Sequence, residues 1–464
     1  MDQLDLARLQ FASTSIYHFL FVPVTIGLAF LVAVLHTLWF RSGRPEHKRL
    51  TRFFGTLLLI NVAVGVVTGL VQEFQFGMSW SAYSRFVGDV FGAPLAMEGL
   101  AAFFLESTFL GLWVFGWNVL PRRMHLLTIW LVFFGSVLSG AFIMAANSWM
   151  QHPVGYTTNA RTGRPQLSSV TELFTNPVFI WGYVHVVLAS LLTGAVVMLA
   201  VSAWQLRRGS ALFRSSAVLS LAVLVPVSVL ALMVGSHLGV VETKYQPMKI
   251  AAAEGQWTTC QPCSFSLFQI GGGNNDQTPT QIIQVPHLLS VLATGTWNGE
   301  VVGLNPLQKQ YSKQYGKGYY VPDVFIQYWG MRVMAYGGSL VVLLALWGWW
   351  LAHRRRLGTS RVFLTVATWA VIAPFLMNTA GWLLTESGRQ PWIVQGLMKT
   401  SAGVSPSVSV TELAVSLTVF LVLYLLLGVV DVFLMLRYGR REIEPDAPDA
   451  TPEGTRPRTP ALTY

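Results

Sequence analysis

The stretch from residue 177 to 208, PVFIWGYVHVVLASLLTGAVVMLAVSAWQLRR, contains no acid and no lysine and closes on two arginines. About 20 mostly apolar residues cross the hydrocarbon core of a bilayer, so residues 178–206 read as a membrane-spanning helix with its basic end in the headgroups. Eight further stretches read the same way, at 15–40, 53–76, 94–118, 125–147, 216–239, 328–352, 362–385 and 411–436. The expected fold is all-α, a polytopic membrane bundle of nine transmembrane helices. Composition agrees, since 53% of the 464 residues are hydrophobic and 11% are charged, against roughly 25% charged in soluble domains. An ordinary water-soluble enzyme is excluded. Two cysteines, Cys260 and Cys263, are too few for a disulfide-built secreted scaffold or a larger thiolate array.

The net charge of +10 raises nucleic acid as a partner, but the positions of the basic residues dispose of it. The connections after spans one, three, five and seven, with the segment after span nine, hold 19 of the 31 Lys and Arg, including Arg41, Arg122, Arg207, Arg354 and Arg440. By the positive-inside rule this face is cytoplasmic, the N-terminus is outside and the C-terminus inside. The basic excess is membrane anchoring, with lipid as its partner and no nucleic acid. The beginning, MDQLDLAR, lacks a basic n-region, so span one is expected to be retained. The organisation expected is six helices over 1–239, an external loop over 240–327, three helices over 328–441 and a disordered cytoplasmic tail over 442–464. A loop of that length is usually functional or disordered.

Charged or ligand-type side chains inside spans are costly and mark function by default. His18, near the external start of span one in STSIYHFLFVP, is either an interfacial histidine or a ligand. His185 lies deeper in span five, in IWGYVHVVLAS, and is either bonded to a neighbouring helix or a ligand. Met334, in YWGMRVMAYGG of span seven, is by default packing. Spans five and seven both enter from outside, however, which sets His185 and Met334 at similar depth, and a His/Met axial pair is an arrangement of low-spin haem iron. Glu98 and Glu106 stand eight residues apart in PLAMEGLAAFFLEST of span three. In an ideal helix that is about 12 Å along the axis and about 80° around it, so they share one side. They read either as separately paired acids or as a proton relay that Ser107 and Asn147 extend.

Glu386 ends span eight just before GRQPW at 388–392. This is either a helix stop with a local Glu386 and Arg389 pair and an interfacial Trp392, or an oxygen ligand for iron beside an arginine for a haem propionate. Arg332 lies about 200° from Met334 on an ideal helix and either snorkels to the surface or reaches a propionate. In the loop, KYQPMKIAAAEGQW places Lys249 and Glu254 five residues apart. They are either a solvated charge pair or the hydrogen-bonding groups of a quinol site at the membrane edge. The external CxxC of Cys260 and Cys263 reads as a small disulfide rather than a two-ligand metal site.

Taken together, nine spans with a long external loop, His18, His185 with Met334, the Glu98 and Glu106 span and ESGRQPW at 386–392 resemble subunit I of the cytochrome bd family of quinol oxidases. The resemblance covers nearly all of the chain except the tail and much of the loop's second half, and GRQPW is its most specific element. It implies that His185 and Met334 are the axial pair of a low-spin haem b. It implies that His18 and Glu386 serve the two high-spin centres, a second haem b and haem d, with Glu98 beside them and Glu106 as proton donor. Lys249 and Glu254 are similar to the family's quinol-loop pair, and Arg332 and Arg389 to arginines that steady the haems. At Val240 the chain departs from a tyrosine often found nine residues before the loop lysine, and Tyr245 is the nearby aromatic.

The implied reaction oxidises two quinols and reduces one molecular oxygen to two waters, building a proton gradient without a pump. A second membrane subunit is implied, with a small single-span accessory subunit as a further partner. The location implied is the bacterial cytoplasmic membrane. Three rivals compete. A haem-copper oxidase needs an adjacent histidine pair, and none of the nine histidines is adjacent to another. An ion-coupled transporter would show related halves, and none is visible. A quinol-linked cytochrome b without oxygen chemistry differs by its lack of a high-spin haem.

Overall fold

The computed structural model describes residues 2–443, so the expected tail lies outside the described residues from 444 onward. Among the described residues nine helices are long and apolar enough to cross a membrane. They are Gln3–Ser42, Pro45–Met78, Ser81–Phe115, Arg122–Gln151, Pro177–Arg207, Ala211–Tyr245, Val324–His353, Arg361–Gly388 and Val410–Gly439, here called spans one to nine. At 28 to 40 residues each, they run about 42–60 Å against a hydrocarbon core of about 30 Å. Their ends therefore project past the membrane, and span six continues to Tyr245, beyond the expected 239.

Close packing follows from small residues at crossings, because lipid tails give helices no hydrophobic reason to associate. Spans one and five cross where Gly27 and Gly194 face each other so closely that a Cβ on either would strike the other's backbone. Span eight is interrupted between Arg361–Trp369 and Ile372–Gly388. Pro374 stands in the first turn of the second piece, where its missing N–H costs no helix hydrogen bond. Span three is interrupted differently, by a π-helical turn at Glu98–Phe103.

The loop between spans six and seven is ordered. It holds the helices Pro247–Ala253, Leu288–Thr294 and Leu304–Tyr315 and an antiparallel strand pair, Phe265–Ile270 with Thr280–Val285. The expected disulfide joins Cys260 and Cys263. The GGGNND run at 271–276 closes the strand pair, and Asn275 accepts the Val324 N–H at 2.9 Å, capping the start of span seven. The loop has its own apolar core of Met248, Trp257, Leu304, Tyr311 and Tyr320, completed by Trp392. Trp392, interfacial in the simpler of the two sequence readings, is instead buried and stacks on Tyr320 at 5.8 Å. Through it the GRQPW turn and the loop fold as one body.

Candidate functional site

His18 of span one donates to or accepts from Thr68 Oγ1 of span two at 3.0 Å. The Thr68 hydroxyl gives its one proton to the Gly65 carbonyl at 2.9 Å, so toward His18 it acts as acceptor. The imidazole therefore carries its proton on Nδ1 and leaves the Nε2 lone pair available for a metal. Gly69, one residue on, keeps the ring edge clear, since a Cβ there would lie 3.1 Å from Cε1. His185 and Met334 repeat the theme. A Cβ at Gly235 of span six would lie 3.0 Å from His185 Cε1, and one at Gly381 of span eight 3.3 Å from Met334 Sδ. His185 Nδ1 is buried with no partner.

Glu98 and Glu106 do not follow the ideal-helix arithmetic, because the π-helical turn lies between them. Wider turns of this kind are frequent at functional sites. Both acids nevertheless meet span four, one helical turn apart on it. Ser139 Oγ donates to Glu98 Oε1 at 2.6 Å, and the Glu106 backbone packs on Gly135. Ser107 does not join them: it is exposed, and its hydroxyl turns back to the Phe104 carbonyl at 3.4 Å. Asn147 is displaced from that relay too, because its amide is committed to Glu386 at 2.7 Å.

Glu386 is also bonded by Arg389 Nη2 at 2.6 Å, the local pair that the three-residue spacing allows. The rest of the Arg389 guanidinium is unspent: Nε and Nη1 are buried without a partner. Buried donors are almost always satisfied, and an anionic acceptor against this edge would do so.

Lys249 and Glu254 are neither solvated nor paired with each other, contrary to the simpler sequence reading. Both are buried, and each takes its partner from a span. Lys249 Nζ bonds Glu242 Oε2 at the end of span six at 2.8 Å, and also Gln151 Oε1 at the end of span four. Glu254 Oε2 receives Arg332 Nη2 at 2.7 Å. Burial pushes the Glu254 carboxyl up, and the Arg332 charge pulls it back down. Arg332 does not snorkel to the surface. It is fully buried, bonded to the Ser266 carbonyl at 2.8 Å and to the Ala253 carbonyl, and stacked 3.7 Å from the Tyr328 ring centroid.

A haem group fits these residues. It needs imidazole and thioether ligands with a free lone pair, small residues that let neighbouring helices come close to those ligands, and donors for its propionates. The clear edge of His18, the glycines facing His185 and Met334, and the unspent donors of Arg389 match those needs in turn. Sequence reasoning missed Thr68, Gly69, Glu242 and Gln151. Only Glu242 carried a signal, an acid seven residues before Lys249 in VETKYQPMK, which two helical turns would bring to one side.

Comparison with known proteins gives a consistent picture. The family described as cytochrome bd terminal oxidase subunit I matches residues 6–443. The cytochrome bd ubiquinol oxidase subunit 1 of Bacillus subtilis (strain 168) is 44% identical, covering 98% of each chain. The cytochrome bd-II ubiquinol oxidase subunit 1 of Escherichia coli (strain K12) is 38% identical over 95% of this chain and 96% of its own. The solved bd oxidase from Geobacillus thermodenitrificans is similar with a TM-score of 0.86 and 27% identity, covering 95% of this chain and 99% of that one.

Proposed function

The chain belongs to the cytochrome bd terminal oxidase subunit I family and is a subunit of a haem-containing terminal quinol oxidase, and from that premise we propose how its residues divide the work. It sits in a bacterial membrane and works with a second membrane subunit, as the naming of its relatives implies. Neither the transporter nor the oxygen-independent cytochrome b finds support in these relatives. Haem and quinol are its cofactor and substrate. The finer assignment is a low-spin haem b between His185 and Met334, and a high-spin haem b and haem d held through His18 and Glu386 with Glu98 beside them. When bound, the haems supply the one-electron carriers and the oxygen-binding iron that side chains lack.

The chain's own residues do the rest. Lys249 and Glu254 bind and orient quinol at the loop, where a carboxyl pushed up by burial is suited to take a proton from the hydroxyl being oxidised. Arg332 holds Glu254 in place. Arg389 neutralises a propionate. Glu106 passes protons toward Glu98, both facing span four, and Ser139 holds the Glu98 carboxyl in position. The arginine-rich connections support an orientation with the loop and N-terminus outside and the C-terminus in the cytoplasm. Quinol protons are then released outside while those consumed in making water come from inside, which charges the membrane without a pump. A small single-span accessory subunit completes the proposed assembly, with lipid along the exposed faces of span nine.

The observation that carries this reading is His18, locked by Thr68 with Nε2 free and the Gly69 recess at its edge. The test is a reduced-minus-oxidised spectrum of the purified oxidase together with Glu106→Gln. A chlorin band is expected, and its absence removes haem d. In the variant, haem reduction by quinol should persist while oxygen turnover falls about 100-fold, the lower range for losing a proton-transfer group. Unchanged turnover would overturn the relay.

A further inference from the structure

Between the quinol loop and the ESGRQPW turn runs an unbroken series of hydrogen bonds. Lys249 Nζ bonds Gln151 Oε1, Gln151 Nε2 bonds Asn147 Oδ1 at 2.9 Å, and Asn147 Nδ2 bonds Glu386 Oε1 at 2.7 Å. Gln151 and Asn147 stand four residues apart near the end of span four and so share one helix face. Lys249, Gln151 and Asn147 are all buried. The Gln151 carbonyl is itself held by the Gln246 side chain. The Lys249 stem lies directly on Gly388, where a Cβ would strike both it and Gln327.

The direction of the series is fixed by its ends. Lysine is a donor only, so Gln151 must present its oxygen to Lys249, which leaves its amide hydrogens for Asn147. Asn147 therefore accepts from Gln151 and has its own amide hydrogens left for the acceptor-only carboxylate of Glu386. Every dipole points the same way, from cation to anion, and in a buried chain each bond polarises the next by roughly 10–30%. Two amides in succession conduct no protons. What they transmit is orientation and field. The chain is charge-balanced, since Glu242 faces Lys249 at 2.8 Å and Arg389 faces Glu386 at 2.6 Å.

We propose that Gln151 is a positioning residue that couples the quinol loop to the Glu386 site, holding Lys249 and Glu386 as the two ends of one polarised hydrogen-bond chain. The state of the quinol site is thereby felt at the high-spin centre, and the loop is registered against the ESGRQPW turn by hydrogen bonds as well as by the packing of Trp392. This rests on the proposed roles of Lys249 toward quinol and Glu386 toward a haem. It adds a residue and a connection to them.

The test uses the purified, haem-loaded oxidase with Gln151→Met, Gln151→Glu and Lys249→Met. Gln151→Met cuts both bonds of the bridge. It should raise KM for quinol about tenfold with a smaller change in kcat, and should shift the resting-state electron paramagnetic resonance signature of the high-spin haems without turnover. Gln151→Glu keeps an acceptor for Lys249 but has no donor for Asn147, so it should restore KM and retain the shifted spectrum. If both Gln151 variants keep the parent KM and spectrum, or lose only thermal stability and haem content, the coupling is overturned. Should Gln151→Met fail to assemble, the spectrum of Gln151→Glu alone decides, an unshifted one refuting the proposal. Lys249→Met separates the premises: if it leaves KM unchanged, the quinol role of Lys249 fails. If it raises KM while Gln151→Met does not, the bridge alone fails.

Discussion

Arg332 and Arg389 sit towards the loop-side ends of neighbouring spans, each beside a glutamate, and the structure uses them in opposite ways. Every nitrogen of the Arg332 guanidinium is bonded within the chain, to Glu254 and to the carbonyls of Ser266 and Ala253. Arg389 spends one nitrogen on Glu386 and leaves two buried and partnerless. The first fastens the loop to span seven. The second keeps two buried donors that its own chain does not use. Equal burial of charge thus carries no single meaning; whether donors remain unspent separates an anchor from a binding group.

The largest expected effect tests the anchor. Arg332→Met leaves Glu254 buried without its partner and should destabilise the loop by about 3–5 kcal/mol, read as a lower apparent Tm and rapid proteolysis between residues 254 and 320. Adding Glu254→Leu should recover most of that stability while quinol oxidation stays lost. A double variant as fragile as the single one would show that Arg332 holds more than its carboxylate.

Arg389→Met tests the other side. The loop should keep its protease resistance, because Trp392 and Lys249 still pack it, while retention of the high-spin haems weakens on the order of 10- to 100-fold, as for outer-shell partners of metal sites. Haem content measured against the low-spin band separates the outcomes. If the loop unfolds and the haems stay, the contrast between the two arginines is wrong.

The smallest effect is one of pH. His152, just past the end of span four, packs its ring against Tyr245 at a tilt, with centroids 4.1 Å apart, and burial, with the Lys244 charge adding to it, lowers its pKa. A histidine depressed in the fold stabilises it above its unfolded pKa of about 6.5, and that stability is lost as pH falls toward the folded value. Loop protection should therefore decline below about pH 6.5. His152→Phe should flatten that slope while keeping the ring contact with Tyr245, and an unchanged slope would place the titrating group elsewhere.

Much of this was legible in the chain because the bilayer imposes a simple code. Nine apolar stretches gave nine membrane-length helices among the described residues, the scarcity of polar residues made His18, Glu98 and Glu386 conspicuous, and ESGRQPW with its companions pointed to the right family. Ideal-helix geometry then failed where the helices are not ideal. The π-helical turn broke the angle assumed between Glu98 and Glu106, and Lys249 and Glu254, five residues apart, proved to have different partners. Thr68, Gly69 and Gln151 gave no signal at all, since a threonine, a glycine and a glutamine are unremarkable until a neighbouring span brings a ligand against them.

The sequence by itself determined that the described residues form nine membrane-spanning stretches, that the basic residues gather at one set of their ends, and which few side chains are costly to place inside them. These follow from transfer free energies, which depend on residue type and run length alone. Tertiary structure decided which donor met which acceptor: that Arg332 is consumed, that Arg389 is not, that His18 is locked in one tautomer, and that four residues from two spans and the loop form one directional chain. Hydrogen bonds act over about 3 Å, and only the packed bundle brings residues hundreds of positions apart within that distance.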